Sequence, residues 1–366
     1  MANIFDYLKW RGDITMDIVP IGDADRLILA ELSYVEFTND GPRPIGELCE
    51  EMLKKIEVIK ESGAKLDVIH HAKDVKLLEA LKDSPRFKNL LLAHCHKRTD
   101  KRREEQFAAM TVYLPKDTAA VVFRGTDWSL VGWKEDFNMA YCDVLPAQES
   151  AVEYLNRIGN LHDGRIVTLG HSKGGNLAVY ASAFCNTEVR GRIADVTSLD
   201  GPGFNEKIMA SDEYRKISKK IRTYIPKASI VGTLFSRMGE FSIIESKGAG
   251  VMQHIPYNWD IMASGFVVAA KRDGTGQLVE SAIAEWINSM TADERRNFID
   301  TAWSVLSRAE IDEFTELFED GNYRAVHKNY KNLSEDDRRL IGEALSKLRN
   351  CAKQSLRELL AEARKK

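Results

Sequence analysis

Cysteine is scarce in this chain: five in 366 residues (Cys49, Cys95, Cys142, Cys185, Cys351), odd in number and widely scattered. A disulfide framework is therefore not expected, and the thiol content fits a reducing, cytoplasmic setting. Long apolar runs are missing too. The longest, AAVVF (119–123) and GFVVAA (265–270), are strand-sized, far short of the ~20 residues a membrane helix needs. The opening MANIFDYLKWRGD carries acids early and has no basic stretch followed by an apolar one, so no signal peptide is expected. A basic excess is also lacking: 52 Lys and Arg face 55 Asp and Glu, for a net charge of −3. That argues against nucleic acid as a partner. There is no internal repeat and no low-complexity linker. What remains is an ordinary globular balance, 44% apolar and 29% charged. At ~100–200 residues per domain, the length allows two domains or one large α/β domain with insertions.

Three stretches differ in pattern. Residues 1–105 read mostly as helix, with apolar residues at helical spacing in DADRLILAELSYVEF (23–37), IGELCEEMLKKIEVIKESG (45–63, stopped by Gly63) and DVKLLEALKDSPRF (74–87). From QFAAMTVYL through the turn PKD to TAAVVFRG the chain reads as a hairpin. Strands and helices then alternate: VVF, a helix at 146–160, RIVTLG (165–170), a helix at 174–186, IADVTSL (193–199), KKIRTYIP (219–226) and FSIIESK (241–247). This implies a mostly parallel sheet flanked by helices. Residues 281–366 read as charged helix, with a capping box at Thr291 and Glu294 and a weaker one at Ser334 and Asp337. The expected organisation is an N-terminal helical region (1–105), an α/β core (106–270) and a C-terminal helical extension (271–366), the polar stretch KRDGTGQLVE (271–280) marking the last boundary.

The segment RIVTLGHSKGGNLAVYA (165–181) carries the chemistry. Its G-x-S-x-G match sits between an apolar strand and an Ala/Leu-rich helix, the setting of a nucleophile elbow. Such an elbow would hold Ser172 on a sharp turn, and Gly170 and Gly174 would let strand and helix pass closely. A serine needs a base, and the base an orienting acid. In elbow enzymes they follow in the order Ser, Asp/Glu, His. After Ser172 the only histidines are His254, in the loop KGAGVMQHIPYNW, and His327, in a charged helical stretch where a surface role is the default. His254 is the candidate base. His171 adjoins the serine, but an elbow turns neighbouring side chains apart. Asp200 ends a strand and opens DGPGF, at the sheet edge where α/β sites collect. It is the candidate acid, against the alternative that it only caps its own turn; Asp195 is a weaker choice. The backbone N–H of Lys173 is one expected oxyanion donor. Thr126, in VVFRGTDW, is the other, through its N–H and its hydroxyl.

Together FRGTDW, WKED (133–136), GHSKGG, DGPGF and QH-x-x-x-x-W (253–259) resemble the class 3 lipase branch of the α/β hydrolases over about residues 105–260. They are more similar still to a bacterial lipase-like family of unknown function. The resemblance implies an α/β-hydrolase fold and a Ser-His-Asp hydrolase without metal or cofactor, with Ser172 as nucleophile, His254 as base, and Thr126 and Lys173 as oxyanion donors. Lipid-like or small acyl esters would be the substrates. A thioesterase or acyltransferase on the same machinery, or a binding protein on a retired hydrolase fold, are the alternatives. Two positions depart from the family. Lys173 replaces a leucine, which would make the pocket rim more polar. Ser229 stands in IPKASIVGTLF (225–235) where the lipase acid would be, so the acid has moved to Asp200 or is missing.

Other features carry plainer expectations. His94-Cys95-His96 and His70-His71 lack a second cluster at metal-ligand spacing. The run HKRTDKRREE (96–105) reads as solvated surface, as does the end RELLAEARKK. LFSRMGEFSII (234–244) forms a lid or an acyl-binding wall, or simply packs in the core; Met252, Tyr257 and Trp259 line a pocket or pack.

Overall fold

The computed structural model describes residues 2–62, 71–127, 129–239, 241–248, 250–270, 272, 274–309 and 322–363. Gly63, His70, Trp128, Glu240, Ala249, Lys271, Asp273 and the last three residues, all within stretches singled out above, lie outside that set. Among the described residues an eight-stranded sheet runs in chain order: β1 (Arg43–Pro44), β2 (Leu91–Asp100), β3 (Glu105–Leu114), β4 (Thr118–Phe123), β5 (Arg165–His171), β6 (Ile193–Leu199), β7 (Ile221–Pro226) and β8 (Phe241–Ile244). The expected hairpin is β3 with β4, antiparallel from Ala109↔Phe123 to Leu114↔Thr118. Lys116 and Asp117 take left-handed backbone in its turn. From β4 to β8 every pairing is parallel. The crossovers carry helices α5 (Leu130–Asn138), α6 (Pro146–Leu161), α7 (Lys173–Phe184), α8 (Thr187–Arg192), α9 (Glu206–Met209) and α10 (Asp212–Ile217).

Side chains alternate between the faces of a strand, and this splits the core in two. Ala119, Val121 and Phe123 pack with α6, α7, α8 and α10. Ala120 and Val122 face the opposite way, onto the N-terminal helices α1 (Ile4–Arg11), α2 (Asp23–Leu32), α3 (Ile45–Ser62) and α4 (His71–Asp83). The N-terminal region is thus one of the two layers that bury the central strands. Its helix α2 ends at Leu32 rather than continuing to residue 37, because the chain tightens through Tyr34 N–H to Glu31 O and Val35 N–H to Leu32 O.

Strand β2 is an exception to the reading of residues 1–105 as mostly helix, while 96–104 are exposed or half-buried, as expected of that run. Its polar sequence LLAHCHKRTD hides a strand because only two residues of β1 cover its outer edge, and an edge tolerates charge. In it His94 adopts φ +55°; its ring nitrogens lie 3.3 Å from Asp40 Oδ1 and 3.1 Å from the Tyr113 hydroxyl.

The chain divides into two compact units. The first comprises residues 1–98, 107–125 and 147–271; the second comprises 99–106, 126–146 and 272–366. The sequence boundaries at 105 and 270 therefore miss that 126–146 groups with the C-terminal helices. In the second unit Lys134 bridges Glu104 and Asp300 at 2.5 and 2.9 Å. The rings of Phe137 and Trp303 meet at 5.6 Å. Its helices are α5, α11 (Gly274–Asn288), α12 (Ala292–Ser307), α13 (Asn322–Lys331) and α14 (Glu335–Ala363). Thr291 and Glu294 form the expected capping box. Ser334 Oγ accepts from Asp337 N–H. Among the described residues no helix is long and apolar enough to cross a membrane.

One buried group makes the N-terminal layer sensitive to pH. Glu31 on α2 is fully buried, and desolvation, reinforced by the charge of Asp74, holds its carboxyl well above the usual range near 4.5. Tyr257, in the segment after β8, donates to Asp74 at 2.6 Å within the same cluster. The unfolded chain releases the Glu31 proton at lower pH than the folded one, so stability falls as pH rises above about 4.5. Glu31→Gln has no proton to lose. It is expected to stabilise the protein at pH 8, where the folded wild type either buries a charge or holds a proton that the unfolded chain releases, with the gain shrinking toward pH 4. Thermal melts across that range check this; parallel wild-type and variant curves would refute it.

Candidate active site

The site starts from a tight contact between β4, β5 and α7. A Cβ on Gly174 would lie 2.1 Å from the Phe123 carbonyl oxygen, and one on Gly170 only 2.3 Å from the Gly174 carbonyl. Neither position admits a side chain without moving backbone, so the glycines of the motif are steric requirements. Between them Ser172 sits at φ +58°, ψ −133°, a conformation an L-residue holds only under constraint. Two bonds supply that constraint: Ser172 N–H donates to Leu199 O and Gly175 N–H to Ser172 O, each at 2.9 Å. The Ser172 side chain caps nothing in α7, which leaves its hydroxyl uncommitted to the helix.

Leu199 is the last residue of β6, and Asp200 follows at φ +52°, its N–H donating to Tyr224 O on β7. This turn buries the Asp200 side chain completely. Its Oδ2 accepts the Ser229 hydroxyl at 2.5 Å and lies 2.6 Å from His254 Nδ1. A Cβ at Gly232 would sit 2.0 Å from Oδ1, so the bare backbone there makes room for the carboxylate. Ser229, where the resemblance looked for an acid, thus hydrogen-bonds the Asp200 carboxylate. Because a carboxylate only accepts, His254 Nδ1 is the donor, and in the neutral ring Nε2 then carries the lone pair. The His254 side chain is 22% exposed.

His254 ends a short turn of 3₁₀-helix, Gly250–His254. Its carbonyl oxygen lies 2.9 Å from His171 Nε2, and the two rings pack at 4.4 Å between centroids. The preceding carbonyl, of Gln253, accepts Trp259 Nε1–H at 3.0 Å. Gln253 also accepts Ala228 N–H through Oε1 at 2.9 Å and donates to Gly248 O. The QH-x-x-x-x-W spacing therefore closes a loop on itself. Trp259 and Tyr257 are buried in packing, while Met252 is half exposed.

Gly125, the last residue of its segment in the first unit, passes close to the elbow. A Cβ there would lie 2.3 Å from the Tyr34 hydroxyl and 3.0 Å from Ser172 Cβ. Thr126, next in the chain, belongs to the second unit, where its hydroxyl donates to Asp136 Oδ2 at 2.6 Å. That links the FRGT and WKED motifs and commits the hydroxyl that was expected to donate to an oxyanion. Lys173 is also corrected. Its side chain is 1% exposed, so its ammonium does not line a solvent-facing rim. Asp195, near the start of β6, is held by Arg26 and Arg222 at 2.9 and 3.1 Å. His327 lies on α13 in the second unit. Among the described residues no group of three or more His, Cys, Asp or Glu side chains is placed to hold a metal ion.

Two partners escaped the sequence reading. Tyr34 hydrogen-bonds His171 Nδ1 at 3.1 Å, with no motif to announce it. Asp136 was visible only as part of WKED.

Several solved lipases are similar to the chain at a low level. The Rhizomucor miehei lipase propeptide complex is 16% identical, with a TM-score of 0.37 over 60% of this chain and 66% of that one. M37 lipase is 16% identical, with a TM-score of 0.34 over 57% and 69%. A triacylglycerol lipase from Penicillium expansum is 12% identical, with a TM-score of 0.30 over 43% and 70%. The match thus spans just under two thirds of the Rhizomucor chain. No curated protein matches the sequence significantly. The mostly parallel sheet flanked by helices is an α/β-hydrolase fold. The Mbeg1-like family model matches residues 81–304, more than half of the chain and all of the segments that carry Ser172, Asp200 and His254, so the chain belongs to the Mbeg1-like family.

Proposed function

We propose that this chain is a serine hydrolase that cleaves carboxylic esters, lipid-like or with small acyl groups, through an acyl-enzyme. The observation that carries the reading is the 2.6 Å contact of His254 Nδ1 with the buried Asp200 carboxylate, formed beside the strained Ser172 elbow. His254 Nε2 takes the Ser172 proton as Oγ attacks the carbonyl. Asp200 fixes the tautomer and stabilises the imidazolium. The backbone N–H of Lys173, at the positive end of α7, receives the developing oxyanion. The proton then passes from His254 to the leaving alcohol. Water, activated by the same imidazole, releases the acid. The reaction uses no metal or cofactor, and nucleic acid is not a partner. All five cysteines are unpaired, in keeping with a cytoplasmic setting.

A fluorophosphonate probe tests the proposal, because it needs an activated serine and nothing of the natural substrate. Mass spectrometry of the labelled protein is expected to place the adduct on Ser172. Turnover of p-nitrophenyl butyrate is expected to exceed that of butyryl-CoA. A folded protein that takes no label would overturn the reading; preference for the thioester would redirect it to acyl-CoA chemistry.

A further inference from the structure

Two consecutive carbonyl oxygens of the base loop are held by side chains from elsewhere. Gln253 O accepts Trp259 Nε1–H at 3.0 Å, and His254 O lies 2.9 Å from His171 Nε2. A carbonyl oxygen only accepts, so His171 Nε2 must carry its proton. In the neutral ring Nδ1 is then an acceptor. The Tyr34 hydroxyl stands 3.1 Å from that Nδ1 and supplies the donor. Tyr34 and His171 are both buried, at 7% and 4% exposure. The His171 ring lies 4.4 Å from that of His254 and makes edge contacts with Tyr34 and Trp259, each at 6.1 Å between centroids.

We infer that Tyr34 and His171 form a positioning relay for the base: Tyr34 O–H sets the His171 tautomer, and His171 Nε2–H pins the His254 carbonyl. The inference rests on the hydrolase reading for its effect on rate, though the relay itself stands on geometry alone. Tyr34 comes from the turn after α2, so the N-terminal layer contributes this hydroxyl to the site. His171, set aside as a base, takes part because the elbow that turns Ser172 one way turns its neighbour into the base loop. The carbonyl bond fixes the backbone of His254, the Asp200 bond fixes its ring, and the His171 ring packs against it, tilted by 34°. An unpinned base would lose alignment with the serine, and small misplacements of reacting groups cost up to about 100-fold in rate.

The test combines Tyr34→Phe with the tautomer of His171. Long-range proton–nitrogen spectra of histidine-labelled protein, assigned with His171→Gln, are expected to show wild-type His171 protonated at Nε2 alone near neutral pH. In Tyr34→Phe the Nδ1 signal is expected to lose its hydrogen-bond shift. Over the same pair, kcat for p-nitrophenyl butyrate is expected to fall about tenfold with KM unchanged, within the range misplacement costs. His171→Gln, which keeps a donor amide, is expected to retain more activity than His171→Leu. Protonation of wild-type His171 at Nδ1 would overturn the relay, as would a Tyr34→Phe enzyme with wild-type kcat. If the wild-type protein takes no fluorophosphonate and turns over no ester, the hydrolase reading is what fails, and the tautomer still decides the relay.

Discussion

Ser172→Ala is expected to lower kcat for p-nitrophenyl butyrate by about a million-fold, the loss seen when the nucleophile of such a triad is removed. The size follows from the division of labour at the elbow. Without Oγ there is no covalent intermediate, and His254 has no proton to move. What survives is whatever ground the oxyanion donors and substrate binding gain on their own, about a thousand- to ten-thousand-fold over water. The fold should be untouched. The Ser172 side chain makes no capping bond to α7. The strain at φ +58° is held by backbone bonds to Leu199 and Gly175, which alanine keeps. Circular dichroism melts within a degree or two of wild type would therefore accompany the loss. Activity above about one per cent of wild type, after a fluorophosphonate has been shown not to label the variant, would mean that another group does the chemistry, since covalent catalysis by Ser172 leaves far less.

How much of this was legible in the sequence depends on how far each interaction reaches. The elbow is local: strand, five residues and helix lie within residues 165–184, and two glycines forced by the Phe123 carbonyl mark it. The β3–β4 hairpin and the alternation behind the parallel strands are equally local, and both were readable. Asp200 could be singled out because a strand-ending D-G is a positional signal. Its neighbours could not be. Ser229 reads as a missing acid until the fold brings it 2.5 Å from Asp200. Thr126 reads as a free donor until Asp136 takes its hydroxyl. Lys173 reads as a polar addition to the pocket rim, yet it is buried. Strand β2 escapes because an edge strand need not look apolar. The role of the N-terminal layer escapes for the most general reason. Its amphipathic helices advertise a buried face but not its partner, so nothing in residues 23–37 says that Tyr34 meets a histidine 137 positions away.

Asp200→Asn is expected to lower kcat about ten-thousand-fold, the loss found when a triad acid becomes its amide, with little change in KM. The amide is nearly isosteric, so the cavity opened by Gly232 would still hold it, but neither of its two orientations works. With the amide oxygen toward His254 it can accept from Nδ1 and from Ser229, but it carries no charge to stabilise the imidazolium. Its NH2 then takes the place of Oδ1, a fully buried atom without a hydrogen-bond partner among the described residues, where a donor would be stranded. With the NH2 toward His254, Nδ1 must become an acceptor. The proton moves to Nε2, which then donates toward Ser172 instead of taking its proton. Either orientation also loses the charge-assisted character of the 2.6 Å contact. The nitrogen spectra that report on His171 report on this as well: His254 is expected to shift from the Nδ1–H to the Nε2–H tautomer in the second orientation and to stay put in the first. A variant that keeps kcat within tenfold of wild type would show that Asp200 only caps its own turn and supports the loop, since losing the triad charge costs far more than that.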